Sequence, residues 1–409
     1  MGDGLGQVLE LEISTVAHGG VFVARHEGRV IFVADAIPGE RVLARITDDA
    51  KKSFWRADTV EVLAASSHRR PHIWPAAAVE LPPPLRAGGA EFGHIELSHQ
   101  RELKRTVLSE ALARMASVHW DGDVLPVAGE TVDGTGWRTR LRLHVDADGV
   151  LGPFAARSHR VIPVTDMPLA TPELLAAAPF EGRFDGASTV DIVAPSVGSP
   201  RVFVDGATSR TPITERVGDR EFLLRESGFW QVHRAAAGTL TAALQRAVRA
   251  ERFDPTAENL DLYGGVGLLA AALADRFEDT RITTVEAVAE ATGFARQNLA
   301  EWAGARAETA AVELYLRRLA AAPERERDRH RAATVVLDPP RSGAGRAVVG
   351  LLADLGPAQL LYVACDPVAL ARDIGFFAAR GYTMTGLEAF DLFPNTHHVE
   401  AVAVLEPTI

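Results

Sequence analysis

Leu260-Asp261-Leu262-Tyr263-Gly264-Gly265-Val266-Gly267 runs directly into Leu268-Leu269-Ala270-Ala271-Ala272-Leu273-Ala274. An apolar strand, a glycine-rich turn and a helix in immediate succession predict the opening βα unit of a doubly wound α/β domain. Glycines let the backbone turn sharply and approach a ligand closely, which side chains would prevent. The next strand ends in Val285-Glu286, about 20 residues on, where an acid can accept hydrogen bonds from ribose hydroxyls. A glycine turn with a distant acid describes both the nicotinamide-dinucleotide fold and the S-adenosylmethionine fold. It does not choose between them.

Outward from that turn, residues 228–409 alternate helix and strand. A helix is expected over 231–248, and strands at 260–263, 282–285, 334–337, 360–364, 382–385 and 399–404. Strands this apolar suit a parallel sheet covered on both faces, closed by two antiparallel strands. The run 323–331 is charged and reads as a surface loop without a role. Further upstream, residues 7–63 alternate with period two between turn residues such as His18-Gly19-Gly20 and Pro38-Gly39. That rhythm predicts a small β-barrel of the oligonucleotide-binding kind. Lys51-Lys52-Ser53-Phe54-Trp55-Arg56 interleaves cations with aromatics on an expected loop, a composition suited to phosphate contact and base stacking. A long connection, a helix over 98–115 and a mostly β segment over 137–225 lie between. The expected domains are 1–65, a barrel; 66–225, a linker, helix and middle β-rich domain; and 226–409, the α/β domain.

Of the 409 residues, 47% are hydrophobic and 24% charged, which fits a soluble protein of mixed class. No apolar run approaches the roughly 20 residues of a membrane span. The start, Met1-Gly2-Asp3-Gly4-Leu5-Gly6, lacks the basic and apolar regions of a signal peptide. The net charge of −11 argues against a simple polyanion binder, yet the acidic excess falls mainly after residue 160. The single cysteine excludes an internal disulfide, a thiolate zinc cage and a thiolate-held iron–sulfur cluster. A cytoplasmic location is expected.

Three further stretches carry chemistry. Leu337-Asp338-Pro339-Pro340-Arg341 stiffens a loop after a strand, at the sheet edge where ligands of open α/β folds sit. Tyr362-Val363-Ala364-Cys365-Asp366-Pro367 puts the one thiol where a strand ends and a helix begins, a position that lowers thiol pKa values. Phe393-Pro394-Asn395-Thr396-His397-His398-Val399-Glu400 ends on a carboxylate able to remove a proton, with His397 or His398 as alternative bases. Adjacent residues in a strand face opposite ways, so at most one of these histidines points into the site. A thiol, a base and a methyl-donor fold suit methylation at C5 of uracil. That carbon is a poor nucleophile until a thiolate adds to C6.

These residues resemble the RNA uracil-5-methyltransferases that carry an N-terminal TRAM domain, and the resemblance covers almost the whole chain. His18-Gly19-Gly20 with Lys52-Ser53-Phe54-Trp55-Arg56-Ala57 resembles the TRAM barrel, an RNA-binding module. Phe229-Trp230-Gln231-Val232-His233 is similar to the family's Phe-Phe-Gln-Val-Asn element. The resemblance implies S-adenosylmethionine as co-substrate, with Gln231 at its methionine end and Tyr263, Gly265, Glu286 and Asp338 also on it. It makes Cys365 the nucleophile and Glu400 the proton acceptor. Trp137-Arg138-Thr139-Arg140 and Ser158-His159 resemble substrate-facing positions of the middle domain. Structured RNA is the implied partner, 23S ribosomal RNA ahead of transfer RNA, with a monomer acting alone.

The chain departs from the family pattern at several points. The family's Cys-Gly-Gly-Cys reads Ala87-Gly88-Gly89-Ala90, and the other two cluster ligands fall near Leu81 and on Met167. No iron–sulfur cluster is therefore expected, and an apolar filling of its pocket is. Gly264 stands for a cysteine, Leu268 for an asparagine, His233 for an asparagine, and Asp366 for the asparagine after the nucleophile. Two competing readings remain: an RNA-binding protein with a silent transferase domain, and an N-methyltransferase built on Asp338-Pro339-Pro340.

Overall fold

Period-two alternation near the N-terminus closes into a barrel of β1 (Val8–Ala17), β2 (Val21–His26), β3 (Arg29–Ala34), β4 (Arg41–Asp48) and β5 (Phe54–Ala64), ordered β1-β2-β3-β5-β4. The computed structural model describes residues 4–209 and 211–408, so Met1-Gly2-Asp3 lie outside it. Leu11, Ile13, Phe22, Ile31, Val33, Val42 and Ile46 fill the barrel. Phe54-Trp55-Arg56 belong to β5 rather than to a loop, pairing in parallel with Val30-Ile31-Phe32 of β3. Aromatic residues fit a pleated wall, and these pack on the cations beside them. The Arg29 guanidinium lies 4.0 Å from the Trp55 ring centroid, and Phe32 meets Phe54 edge-on at 5.4 Å.

The connection after the barrel is pinned by one buried cation. Arg86 donates from Nε to Leu81 O (2.9 Å), from Nη2 to Val79 O (2.7 Å) and from Nη1 to Asp35 Oδ2 of the barrel (2.6 Å). Next to it, Ala87, Ala90 and Met167 are buried in one apolar core with Trp74 and Trp137. Leu81 is outside that core and contributes its carbonyl instead. An apolar filling thus describes three of the four positions, and Arg86 orders the fourth. Methyl, thioether and isobutyl groups in place of four thiolates do not fit an iron–sulfur cluster. Removing the guanidinium strands two loop carbonyls and the Asp35 carboxylate. Arg86→Ala is therefore expected to lower unfolding stability by about 2–4 kcal/mol, read by urea denaturation.

Helix α1 (Leu97–Ala116) serves two cores. Leu103 joins the barrel's, while Leu108, Ala111 and Leu112 join that of the large sheet. After β6 (Val124–Leu125) come β7 (Arg140–Val145), β8 (Leu151–Gly152), α2 (Pro172–Ala177), β9 (Thr189–Val193) and β10 (Arg201–Val204). Four of these strands form a sheet ordered β10-β9-β7-β8, and β11 (Ile213–Val217) with β12 (Arg220–Leu224) makes a separate hairpin.

The remainder is the α/β fold expected from the glycine turn. It contains α3 (Ala236–Ala247), β13 (Asn259–Leu262), α4 (Leu268–Arg276), β14 (Ile282–Glu286), α5 (Ala289–Asn298), β15 (Ala305–Thr309) and α6 (Val312–Ala320). There follow α7 (Glu324–Asp328), β16 (Thr334–Leu337), α8 (Gly345–Leu355), β17 (Gln359–Ala364), α9 (Pro367–Ala378), β18 (Tyr382–Phe390) and β19 (Glu400–Pro407). The sheet order is β15-β14-β13-β16-β17-β19-β18-β6. Both faces are covered, as the alternation shows. Val335, Leu337, Leu360 and Tyr362 pack against α1, α8 and α9, whereas Val336, Leu361 and Val363 pack with α3 and α4.

Four details differ from expectation. Only β19 is reversed; β18 pairs antiparallel to it and so runs with the parallel strands. Helix α3 starts at Ala236 rather than 231, because the backbone before it is tied elsewhere: Thr139 N donates to Val232 O (2.8 Å) and Arg138 bridges His233. Edge strand β15 has no apolar run and was invisible to periodicity. The charged segment after residue 323 forms the short helix α7.

Candidate active site

The carboxyl ends of β13, β14, β16 and β17 converge on a cavity of about 800 Å³. The seven residues expected to hold the cofactor or carry the chemistry all line it, whereas Ser158 and His159, read as substrate-facing, do not. Gln231, Tyr263, Gly265 and Glu286 stand toward the glycine turn, and Asp338, Cys365 and Glu400 toward the middle of the sheet. The apolar side chains Val266, Val288, Ala291 and Phe294 complete the wall beside Glu286.

The turn earns its glycines by geometry. Gly265 and Gly267 have φ of +55° and +93°, and Tyr263 is itself left-handed at +62°. A non-glycine residue held there is a strained one, a feature that clusters at functional sites. Gly265 N donates to Glu286 Oε2 (3.1 Å), and Val288 N donates to Glu286 Oε1 (2.8 Å), which locks the acid to the turn. Gly264 is also required. A Cβ there would strike the Asp261 carboxylate and lie 2.5 Å from Thr284 Cγ2, so this turn has no room for a cysteine. His233 does not line the cavity; it is buried, stacks on Trp137 at 5.4 Å and accepts from Ala235 N. Burial holds it neutral, with a pKa lowered to about 4.

Carboxylates crowd the centre. Asp261 is fully buried, donated to by Thr284 Oγ1 (3.1 Å), and its Oδ1 has no partner among the described residues. Burial pushes Asp261 up to about 7, and burial with the neighbouring Asp261 pushes Asp338 up to about 7. Glu400 opens β19, is 3% exposed, and is raised well above the usual carboxylate range by burial and then by Asp338. Arg341 opposes that rise.

Cys365 corrects an expectation. Its place between β17 and the N-terminus of α9 is as read from sequence, but the thiol is pushed up to about 12. Burial is the largest cause, followed by Glu400 and Asp338, with Arg341 acting the other way. A helix N-terminus favours thiolate by a fraction of what a desolvated, acid-rich cavity costs.

Sequence reasoning missed some of the lining. Glu91 enters from the connection after Ala90, with no local pattern to mark it. Arg341 also brings a guanidinium group to the cavity, its loop position readable after the two prolines, and Arg138, from the run read as substrate-facing, brings another. His398 faces the cavity, while His397 lies 3.5 Å from Glu91 on the barrel side, so one of the adjacent histidines points inward.

No helix among the described residues is long and apolar enough to cross a membrane. The tRNA (uracil-5-)-methyltransferase family model matches residues 210–408, and the TRAM domain model matches residues 4–55. The chain is 39% identical to an uncharacterized RNA methyltransferase of Streptomyces avermitilis over 98% of its own length and 99% of that protein's. It is 30% identical to a 23S rRNA (uracil(1939)-C(5))-methyltransferase of Halomonas elongata, covering 97% and 89% of the two chains. Its fold is similar to that of the Pyrococcus abyssi tRNA (uracil-54, C5)-methyltransferase, solved with S-adenosyl-L-homocysteine. That likeness has a TM-score of 0.68 and 19% identity, over 97% of this chain and 99% of the other. With both models matched in order and relatives aligned end to end, the chain belongs to the TRAM-containing RNA (uracil-5-)-methyltransferase family.

Proposed function

We propose that this protein methylates C5 of a uridine in 23S ribosomal RNA through a covalent bond between Cys365 and C6. The observation that carries the reading is the convergence of Cys365, Glu400 and Asp338 with the glycine turn on one cavity. The Halomonas relative supports ribosomal RNA as the substrate. In this reading residues 1–65 hold RNA, 66–225 guide it inward, and 226–409 carry the chemistry. The reading takes the protein to act as a monomer in the cytoplasm.

The residues fit S-adenosylmethionine, which when bound supplies an electrophilic methyl group. Glu286 has acceptor capacity left for ribose hydroxyls, and the apolar wall of Val288 and Phe294 suits a purine ring. Gln231 and Asp338 present polar groups for an amino acid end. On the RNA side, the uridine is extruded from its stack into the cavity. Cys365 as thiolate forms an S–C6 bond, and the C5=C6 electrons move onto C5 and O4. C5 would take the methyl group, the new C–C bond replacing the donor's S–CH3 bond, whose electron pair stays on the departing sulfur as a neutral thioether; Glu400 as carboxylate then takes the C5 proton. The released electron pair restores C5=C6 and expels the Cys365 thiolate.

The free cavity holds protons where this reaction needs charge. Burial and Asp338 hold Glu400 protonated well above the usual carboxylate range, and burial pushes the Cys365 thiol up to about 12, so both active forms gain population as pH rises. Initial rates at low RNA concentration are therefore expected to climb from about pH 6 to about pH 9. A flat profile contradicts the assignment of base and nucleophile. The substrate is tested by incubating the enzyme and S-adenosylmethionine with unmodified 23S ribosomal RNA or bulk transfer RNA, then analysing nucleosides. 5-Methyluridine from ribosomal RNA is expected. An N-methylated base, or methylation of transfer RNA alone, overturns the reading.

A further inference from the structure

The β1–β2 turn of the barrel reaches the large sheet. Gly19 and Gly20 have φ of +88° and +73°, so the chain doubles back tightly. A Cβ on Gly20 would lie 3.0 Å from His397 Nδ1, and His397 leads to Glu91 at the cavity. On the other side of the turn, His18 Nε2 lies 2.9 Å from Asp366 Oδ2. The second oxygen, Oδ1, accepts from Val368 N (3.0 Å) and Ala369 N (2.8 Å), capping α9. Asp366 is the residue directly after Cys365.

We propose that His18 of the barrel is a positioning residue for the nucleophile, its imidazolium holding the Asp366 cap in place and offsetting that carboxylate's charge beside Cys365. The proposal rests on the reading of Cys365 given above. A neutral cap would leave the helix N-terminus free to favour a thiolate, whereas a carboxylate beside the thiol opposes it. Asp366 acts on Cys365 in that unfavourable sense, together with Glu400 and Asp338 and against Arg341. His397 and Glu91 face the same turn but pair with each other. His18 is the cationic partner of Asp366 among the described residues. The barrel thus does more than tether RNA. It completes the charge balance at the reacting sulfur.

The contact is pH-dependent in a definite direction. The hydrogen bond to Asp366 raises the His18 pKa, so the charged pair is complete below that raised value and is lost as pH climbs past it. The Asp366 pKa is lowered in spite of burial, by His18 and by the two backbone donors, so the pair fails on the acid side only below the carboxylate range. The offset is therefore complete below the raised His18 value and fades as pH climbs past it.

The test measures the rate of covalent adduct formation with RNA and S-adenosylmethionine in the Glu400→Gln background, where adduct accumulates. Adding His18→Ala is expected to slow adduct formation about three- to tenfold near pH 6, the deficit closing toward about pH 9. Asp366→Asn removes the charge that needs offsetting. His18→Ala is then expected to change nothing in the Asp366→Asn background. A deficit equal at every pH, or one that persists beside Asp366→Asn, assigns His18 to docking or RNA affinity and overturns the proposal. Absence of adduct in Glu400→Gln itself overturns the Cys365 reading first, which separates the two failures.

Discussion

Replacing Cys365 by alanine is expected to lower methyl transfer to RNA by about 10⁴-fold or more, the scale of losing a covalent nucleophile. Carbon 5 of uracil does not attack a methyl donor unless C6 has gained an electron-rich substituent, and no other thiol exists in the chain to supply one. The substitution removes one sulfur from a half-buried position at the end of β17 and leaves the Asp366 cap intact, so the fold is kept. Methyl incorporation into RNA, measured beside a thermal melt, checks both halves. Retention of near wild-type transfer would favour N-methylation from the Asp338-Pro339-Pro340 loop. A wild-type protein that binds RNA and transfers nothing would favour the silent-domain reading.

Glu400→Gln separates the two halves of the reaction. Addition of Cys365 does not require the Glu400 carboxylate, but removal of the C5 proton does. Turnover is expected to fall by about 10²–10⁴-fold, the usual worth of a positioned base, while RNA accumulates on the protein. The variant is well suited to the fold. Burial and Asp338 already favour the neutral acid, and glutamine has its shape. A carboxyl whose folded pKa is raised destabilises the protein as pH rises above its ordinary value, because ionisation then opposes burial. Glu400→Gln is thus expected to melt no lower than wild type near pH 8, and a lower melting temperature would contradict that account.

Much of this was legible because local pattern and global fold agree. The turn Tyr263-Gly264-Gly265-Val266-Gly267 announced its strand, its helix and the acid at Glu286, and period-two alternation announced both the barrel and the two-faced sheet. What stayed hidden depends on distant contacts. Residues 231–235 look helical until Val232 is seen to pair with Thr139, and β15 is a strand only because β14 offers it an edge. Glu91 reaches the cavity through the connection that Arg86 orders, a three-way contact that no spacing encodes. The thiol's direction of shift was misread for the same reason. The helix N-terminus that follows it in sequence favours ionisation, whereas burial and its neighbours in space, Glu400 and Asp338, oppose it more strongly.

Mass spectrometry of the RNA–protein adduct formed by Glu400→Gln bears most directly on the central claim. After nuclease and protease digestion, the account predicts a methylated uridine nucleotide attached to the peptide that contains Cys365. A modified nucleotide on any other peptide, or 5-methyluridine made at the wild-type rate by Cys365→Ala, would contradict it.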